Sequence, residues 1–248
     1  MSIANEIQRL QSAKADIKSA IEQKGVTVGD GTIDTYAEKI SEISGGGGEI
    51  ELDRGLKTAT FTSLNMFNTS EAVLNFDNLT SLAQLFTVTD ETNVNTTVEH
   101  LTINTLNSVR GANQMLTSSI NDNRLKHLTL NVDFSECINF KNFLTKIQAL
   151  ETIDGTPLNL SSATNVQNMF SNIFSLVDVR FVANSIKLSI SFANSPNLST
   201  ATIQSIIDGL ADLTGGTAQT LTLHATVGAK LTDEQKATIT SKNWTLVY

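Results

Sequence analysis

One six-residue motif, here called the phrase, occurs twice: residues 98–103 read VEHLTI, and residues 125–130, 27 positions later, read LKHLTL. Both copies have the form apolar-x-x-apolar-x-apolar. In an extended chain, the last two apolar positions of this form point to the same face, while the first is reached by a bend. The phrase therefore predicts a strand with one buried face, present at least twice.

The same template fits six further places in the chain. They are Leu56/Ala59/Phe61, Glu71/Leu74/Phe76, Leu150/Ile153/Gly155, Leu176/Val179/Phe181, Ala218/Leu221/Leu223 and Asn243/Leu246/Tyr248. The middle position is apolar in all eight copies, and its successive spacings are 15, 27, 27, 25, 26, 42 and 25 residues. Most of these spacings are typical of stacked repeat proteins. We predict that the eight middle residues lie over one another in a single spine.

A second apolar column follows the first within each repeat. Its members are the segments NMF ending at Phe67, QLF at Phe86, QML at Leu116, NFL at Leu144, NMF at Phe170 and SFA around Phe192. Each repeat then supplies one strand and one short helix or turn, and neither buries its apolar side without neighbours. The predicted fold class is an α/β repeat: a leucine-rich-repeat-like solenoid with a parallel sheet, preceded by a small α-helical module.

The two ends of the repeat region, 49–248, are predicted to be caps. The N-terminal cap covers 49–86, because the 15-residue step from Ala59 to Leu74 is too short for a full repeat. The C-terminal cap covers 200–248, where the pattern stretches to 42 residues. There, 200–213 carries an amphipathic helical pattern, and Thr232 begins a capping box for a second helix.

The N-terminal 44 residues predict a helical attachment or oligomerisation module. In the first helix, apolar residues recur at alternating steps of four and three, with Lys14 at the vacant seam position, which is a heptad pattern. The residues of this stripe are Ile3, Ile7, Leu10, Ile17 and Ile21; a second helix presents Ile33, Tyr36 and Ile40. Four glycines at 45–48 form a linker and domain boundary. The stripe either lies on its own domain or docks elsewhere, and the linker favours docking or self-association.

Composition excludes several function classes. The chain has 248 residues, a formal net charge of −8 and no Lys/Arg run, so it is not a general nucleic-acid binder. It has no apolar run long enough for membrane insertion, and no export leader follows Met1. Cys137 is the single cysteine, which excludes an internal disulfide, and we expect it to be a small buried hydrophobe.

Polar residues between the core columns should form ladders on neighbouring strands. His100 and His127 share one offset, Thr102 and Thr129 another, and Glu99, Lys126 and Glu151 form a series of alternating charge. With Arg180, these residues are the candidate exposed binding surface. The alternative is an ordinary solvated sheet face with matched charges. A metal site at the histidines would need further donors, so we predict no metal, no cofactor and no catalytic residue.

Two stretches resemble known families. Residues 4–43, ANEIQRLQSAKADIKSAIEQKGVTVGDGTIDTYAEKISEI, resemble the N-terminal segment of tail, baseplate and fibre proteins of tailed bacteriophages. LNLSSATNVQNMFSN at 158–172 and SLVDVRF at 175–181 are similar to the BspA-like leucine-rich repeats of bacterial surface proteins and phage particles. The usual Asp-Leu-Ser after the strand and the Trp in the turn are missing, and the repeat lengths drift.

The resemblance implies a function without catalysis. The protein would be a structural component of the virion, assembled in the host cytoplasm and displaying its repeats outward for recognition of a host cell-surface glycan or protein. Its partners would be other virion proteins and copies of itself, a homo-oligomer through the N-terminus with a trimer favoured. The alternative is a bacterial surface or secreted leucine-rich-repeat adhesin, which should carry an export leader and a wall anchor.

Overall fold

The computed structural model describes residues 3–22, 27–28, 48–51, 69–87, 98–122 and 124–248. The chain forms two compact units, 1–46 and 47–248, so the division falls between Gly46 and Gly47, inside the run of glycines. In the first unit, helix α1 spans Ile3–Glu22, close to the predicted helix. The predicted second helix, with Ile33, Tyr36 and Ile40, lies outside the described residues.

The second unit consists of short strands followed by helices near its C-terminal end. Its described strands are β1 Gly48–Glu51, β2 Glu71–Phe76, β3 Phe86–Thr87, β4 His100–Thr105, β5 Leu116–Asp122, β6 His127–Asn131, β7 Leu144–Ile147, β8 Thr152–Leu158, β9 Phe170–Ser171, β10 Asp178–Phe181, β11 Ile190–Phe192, β12 Gln219–Leu223 and β13 Trp244–Val247. Its described helices are α2 Thr200–Gly209, α3 Ala225–Gly228 and α4 Asp233–Ser241.

The described strands form three sheets, and every described strand pair is parallel. The first sheet has the order β1-β2-β4-β6-β8-β10, the second β3-β5-β7-β9 and the third β11-β12-β13. From β2 to β10 the chain alternates between the first and second sheets, and their inward residues join one continuous hydrophobic core. The α/β architecture with parallel sheets is therefore confirmed.

The predicted single spine of eight residues is wrong. In the first sheet, Ala72 pairs in register with Leu101, which pairs with Leu128, and the column continues through Ile153 and Val179. The template placed Leu74 in this column, but Leu74 lies opposite Ile103. The template can be placed on the alternating apolar residues of β2 in two registers that differ by two residues. Both registers bury the same face, so the apolar pattern does not distinguish them.

The end copies of the template do not continue this column. Leu221 pairs with Ile190 and with Leu246 in the third sheet, whereas Ala59 lies outside the described residues. Within the predicted N-terminal cap, 49–86, the structure describes 49–51 and 69–86, where β2 and the first residue of β3 pair in parallel with β4 and β5. The short step that led to this prediction runs from Ala59 to Leu74, and Ala59 lies outside the described residues.

The second apolar column lies on strands rather than on the predicted short helix or turn. Phe86, Leu116, Leu144 and Phe170 lie in register in the second sheet. Phe67 lies outside the described residues, and Phe192 belongs to the third sheet, with its ring 5.0 Å from that of Phe170. Four members of the column were predicted correctly. Their secondary structure was not, because one Phe or Leu in each segment carries no periodicity that would separate helix from strand.

A tight turn of constant shape precedes each strand of the second sheet. Its third residue has a positive φ: 54° at Gln84, 53° at Gln114, 53° at Asn142 and 54° at Asn168. A backbone bond closes each turn, as from the Phe143 N–H to the Phe140 oxygen at 3.0 Å. Type II turns need a residue with positive φ at this position, and Asn tolerates that conformation better than most residues.

Helix α2 covers the edge of the first sheet. The Val179 N–H of β10 donates to Oγ1 of Thr202 at 3.1 Å, and the Phe181 N–H donates to Oγ of Ser205 at 3.0 Å. Two side-chain hydroxyls thus replace the backbone acceptors of a next strand. The helix ends at Gly209 instead of the predicted Leu213, because the backbone of 209–211 hydrogen-bonds to Ile186.

The last helix confirms the predicted capping box. Oγ1 of Thr232 accepts from the Gln235 N–H at 3.2 Å, and Oε1 of Gln235 accepts from the Thr232 N–H at 3.1 Å. Trp244, in β13, is buried and donates Nε1–H to the Ala211 oxygen at 2.9 Å. This tryptophan, the one in the chain, reports the folding of the second unit by fluorescence.

We predict that Asn142→Val destabilises the second unit by about 1–3 kcal/mol, because a β-branched residue does not accept a positive φ. Asn142→Gly should leave the stability nearly unchanged. The measurement is urea unfolding followed by Trp244 fluorescence. Lys141→Val, at the preceding exposed position without a positive φ, is the matched control and should shift the free energy of unfolding by less than about 0.5 kcal/mol. Equal losses for both valine variants would contradict the backbone explanation.

We also predict that Thr202→Val destabilises the protein by about 1–3 kcal/mol, although the two side chains have similar shapes. The substitution removes the acceptor of the Val179 N–H at a buried position. Thr200→Val, on the exposed first turn of the same helix, is the control. Urea unfolding of both variants should separate them, and a neutral Thr202→Val would show that the sheet edge does not need this hydroxyl.

Candidate binding surface

The outward face of the first sheet carries most of the predicted surface residues. In β4 and β6 the residues Leu101, Ile103, Leu128 and Leu130 point into the core and are almost fully buried. The alternate residues of the same strands point outward because successive side chains of a strand lie on opposite faces. These outward residues, in three columns across β4 and β6, are His100 and His127, Thr102 and Thr129, and Asn104 and Asn131.

The two histidines stack and connect to a polar chain. Their ring centroids lie 4.5 Å apart with the planes at 23°. Nδ1 of His127 lies 3.0 Å from Oγ1 of Thr152, whose hydroxyl donates to Oδ2 of Asp154 at 2.9 Å. Because that hydroxyl proton is directed to Asp154, Thr152 accepts from His127, and Nδ1 carries the ring proton. This arrangement leaves Nε2 of a neutral His127 as an acceptor.

An asparagine ladder runs parallel to the histidine column. Nδ2 of Asn104 donates to Oδ1 of Asn75 at 2.6 Å, and Nδ2 of Asn131 donates to Oδ1 of Asn104 at 2.7 Å. The ladder ends at Gly155, whose φ is 91° and where an added Cβ would lie 2.9 Å from Oδ1 of Asn131 and 2.5 Å from the Leu130 oxygen. Gly155 is therefore required by the close approach of the neighbouring strand.

The charged series precedes the strands and forms one ion pair. Nζ of Lys126 lies 3.1 Å from Oε2 of Glu99, whereas Lys126 and Glu151 form none. The hydrogen bond from Lys126, then its charge, lowers the pKa of Glu99 below the usual value of 4.5. A lowered pKa means that the pair stabilises the fold above the usual Glu pKa, and that this contribution is lost as the pH falls through the lowered pKa.

The predicted site residues also include Arg180 and residues of α1. Arg180 is exposed on β10, beyond β8, and its Nη2 donates to the Gly155 oxygen at 3.4 Å. On α1, Ile7, Leu10 and Ile17 are 51%, 55% and 39% exposed, while Ile21 is buried. The side chain of Ile3 is outside the described residues.

No group of three or more His, Cys, Asp or Glu within the described ranges is placed to hold a metal ion. Cys137 is fully buried as predicted, and burial raises the pKa of its thiol to about 12. Among the described helices, none is both long and apolar enough to cross a membrane.

Sequence reasoning missed Thr152, Asp154 and Asn75, which complete the columns on this face. Thr152 pairs in register with His127, and Asp154 with Thr129, so the offset of 25 residues contained the signal. The apolar template gave this offset through Ile153, but the polar positions beside it were not compared. In comparisons with known proteins, no family model, no curated protein and no solved structure matches the chain.

We predict that Lys126→Met raises the pKa of Glu99 toward its usual value, because the hydrogen bond and charge that lower it are removed. The measurement is an NMR pH titration of the Glu99 side-chain carboxyl. Lys141→Met, which removes a positive charge at an exposed position elsewhere, is the control and should leave the Glu99 titration unchanged. An unchanged midpoint in Lys126→Met would mean that the pair does not form in solution.

Proposed function

We propose that this protein is a non-enzymatic structural component of a tailed-bacteriophage virion. Its N-terminal helices attach it to the particle or to copies of itself, and its second unit is displayed outward. The observation that carries the proposal is the apolar stripe of α1, where Ile7, Leu10 and Ile17 are about half exposed at the seam positions of a heptad. A helix that exposes such a stripe needs a partner surface.

The heptad supports self-association as a trimer. Ile7 and Ile21 occupy position a, Leu10 and Ile17 occupy position d, and Lys14 occupies the remaining a position. Ile at both kinds of seam position is typical of three or more strands, and one polar residue at a restricts register and oligomeric state. A helix of 20 residues is marginal alone in water, so association would also stabilise it. Ile21 is already buried, so the exposed stripe runs from Ile7 to Ile17.

The proposed architecture of the second unit is a leucine-rich-repeat-like solenoid. Support comes from the registers, because equivalent residues such as Leu101, Leu128, Ile153 and Val179 recur at nearly constant spacing and pair with their neighbours. Each turn from β2 to β9 adds one strand to the first sheet and one to the second. Such a stack presents a continuous outer face, which suits contact with a host-surface glycan or protein.

We predict that the double substitution Leu10→Glu and Ile17→Glu converts the full chain from an oligomer to a monomer, because the two added negative charges of every chain would meet in the seam. The matched control is Gln11→Glu with Ser19→Glu, which adds the same charge at exposed positions outside the seam. Sedimentation equilibrium gives the mass of each. A monomeric parent chain would contradict self-association and would leave docking to a different protein.

The virion assignment has its own test. Antibodies raised against the second unit should label purified phage particles at a constant position in electron micrographs. Labelling that is absent from particles but present on bacterial cells would contradict the proposal and support the adhesin alternative.

A further inference from the structure

The backbone ladder of the second sheet is interrupted between β9 and β11. One repeat earlier, the N–H groups of Phe140, Asn142 and Leu144 donate to the oxygens of Asn165, Gln167 and Met169 at 2.8, 2.9 and 3.0 Å. The equivalent N–H groups 26 positions later belong to Val166, Asn168 and Phe170. Within residues 124–248, all of which are described, these three have no acceptor.

A cleft of about 210 Å³ opens at this interruption. Its lining includes Gln167, Asn168 and Ser171 from the segment around β9, and Thr220 and Thr222 from β12. These five polar side chains form no side-chain hydrogen bond in the described structure. Backbone donors and side-chain hydroxyls and amides therefore converge on one space, with apolar surface from Phe170 and Ile190 beside them.

Geometry excludes an inserted peptide strand. A strand placed between β9 and β11 would require them to stand about 9.5 Å apart, which is two strand spacings. Their Cα atoms approach within 8 Å, and the Asn172 N–H bonds to Oδ1 of Asn194 at 3.2 Å across the same junction. The volume is also below the roughly 300–1,000 Å³ of pockets for drug-sized ligands. The occupant is accordingly small.

The chemistry of the lining selects an uncharged polyhydroxy ligand. No described charged side chain lines the cleft, so an ionic ligand would lose hydration without gaining a partner. A sugar ring offers hydroxyls that both donate and accept, which matches the mixture of N–H groups, amides and hydroxyls. We propose that the cleft binds one neutral sugar residue. This site is distinct from the histidine face, and the inference holds whether or not residues 1–44 attach to a particle.

The test is saturation-transfer NMR on the full chain. The neutral probes are the methyl glycosides of glucose, galactose, mannose and N-acetylglucosamine; the charged probes are glucuronic acid and glucosamine. We expect transfer to at least one neutral glycoside, with a Kd on the order of millimolar because the ligand has few atoms, and none to the charged probes. Absence of transfer to every neutral glycoside, or equal transfer to the charged probes, overturns the proposal.

Two matched pairs of variants locate the site. Asn168→Gly removes one lining amide at a φ of 54° that glycine accepts, and Asn142→Gly makes the same change at a φ of 53° one repeat earlier, away from the cleft. Thr222→Val and Thr245→Val form a second pair on the third sheet. The cleft variants should weaken binding roughly tenfold, and the controls should not. Equal binding in a cleft variant and its control overturns the assignment.

Discussion

The hydrogen bonds between successive turns of the chain are the interaction on which the second unit depends. A backbone N–H in one turn finds its acceptor at the equivalent position of a neighbouring turn, as Lys126 does at Glu99 in the turn before and Phe140 does at Asn165 in the turn after. A buried N–H without an acceptor is costly, so every turn has to be followed by a matching one or by a substitute. In the described residues these N–H groups occur in three situations. Interior groups pair with further strands, those at the edge of the first sheet pair with hydroxyls of α2, and those beside β9 face an open cleft.

The strand positions in the first and second sheets could be predicted from sequence because apolar spacing reports burial directly. The pairs His100 with His127 and Thr102 with Thr129 follow from one offset, and the structure places both pairs in register. Register at β2 could not be predicted, because Ala72 and Leu74 are both inward and apolar. The separate third sheet was also not predicted. Leu221 and Leu246 fit the template, but the template describes single strands and does not show that α2 ends the first sheet before them.

The columns of the candidate surface could be predicted from sequence, but the bonds within and between them could not. Offsets identify which side chains share a column, but not which of them bond to each other. Lys126 is flanked by Glu99 and Glu151 in the series and pairs with Glu99 alone. The cleft beside β9 has no sequence signal of its own, because Asn168 and Ser171 occupy ordinary repeat positions. It exists because the following turn pairs elsewhere, and that is a property of the assembled chain.

The helix at the edge of the first sheet has a consequence for how this protein can vary in length. Oγ1 of Thr202 and Oγ of Ser205 accept hydrogen bonds from the N–H groups of β10, the edge strand of the first sheet. Copies of the chain therefore cannot polymerise end to end through β10. A gene duplication that adds a turn is compatible with the structure only before α2, where each strand of the first sheet pairs in parallel with the next. Longer and shorter versions should therefore share the same C-terminal segment and differ in the number of turns before it.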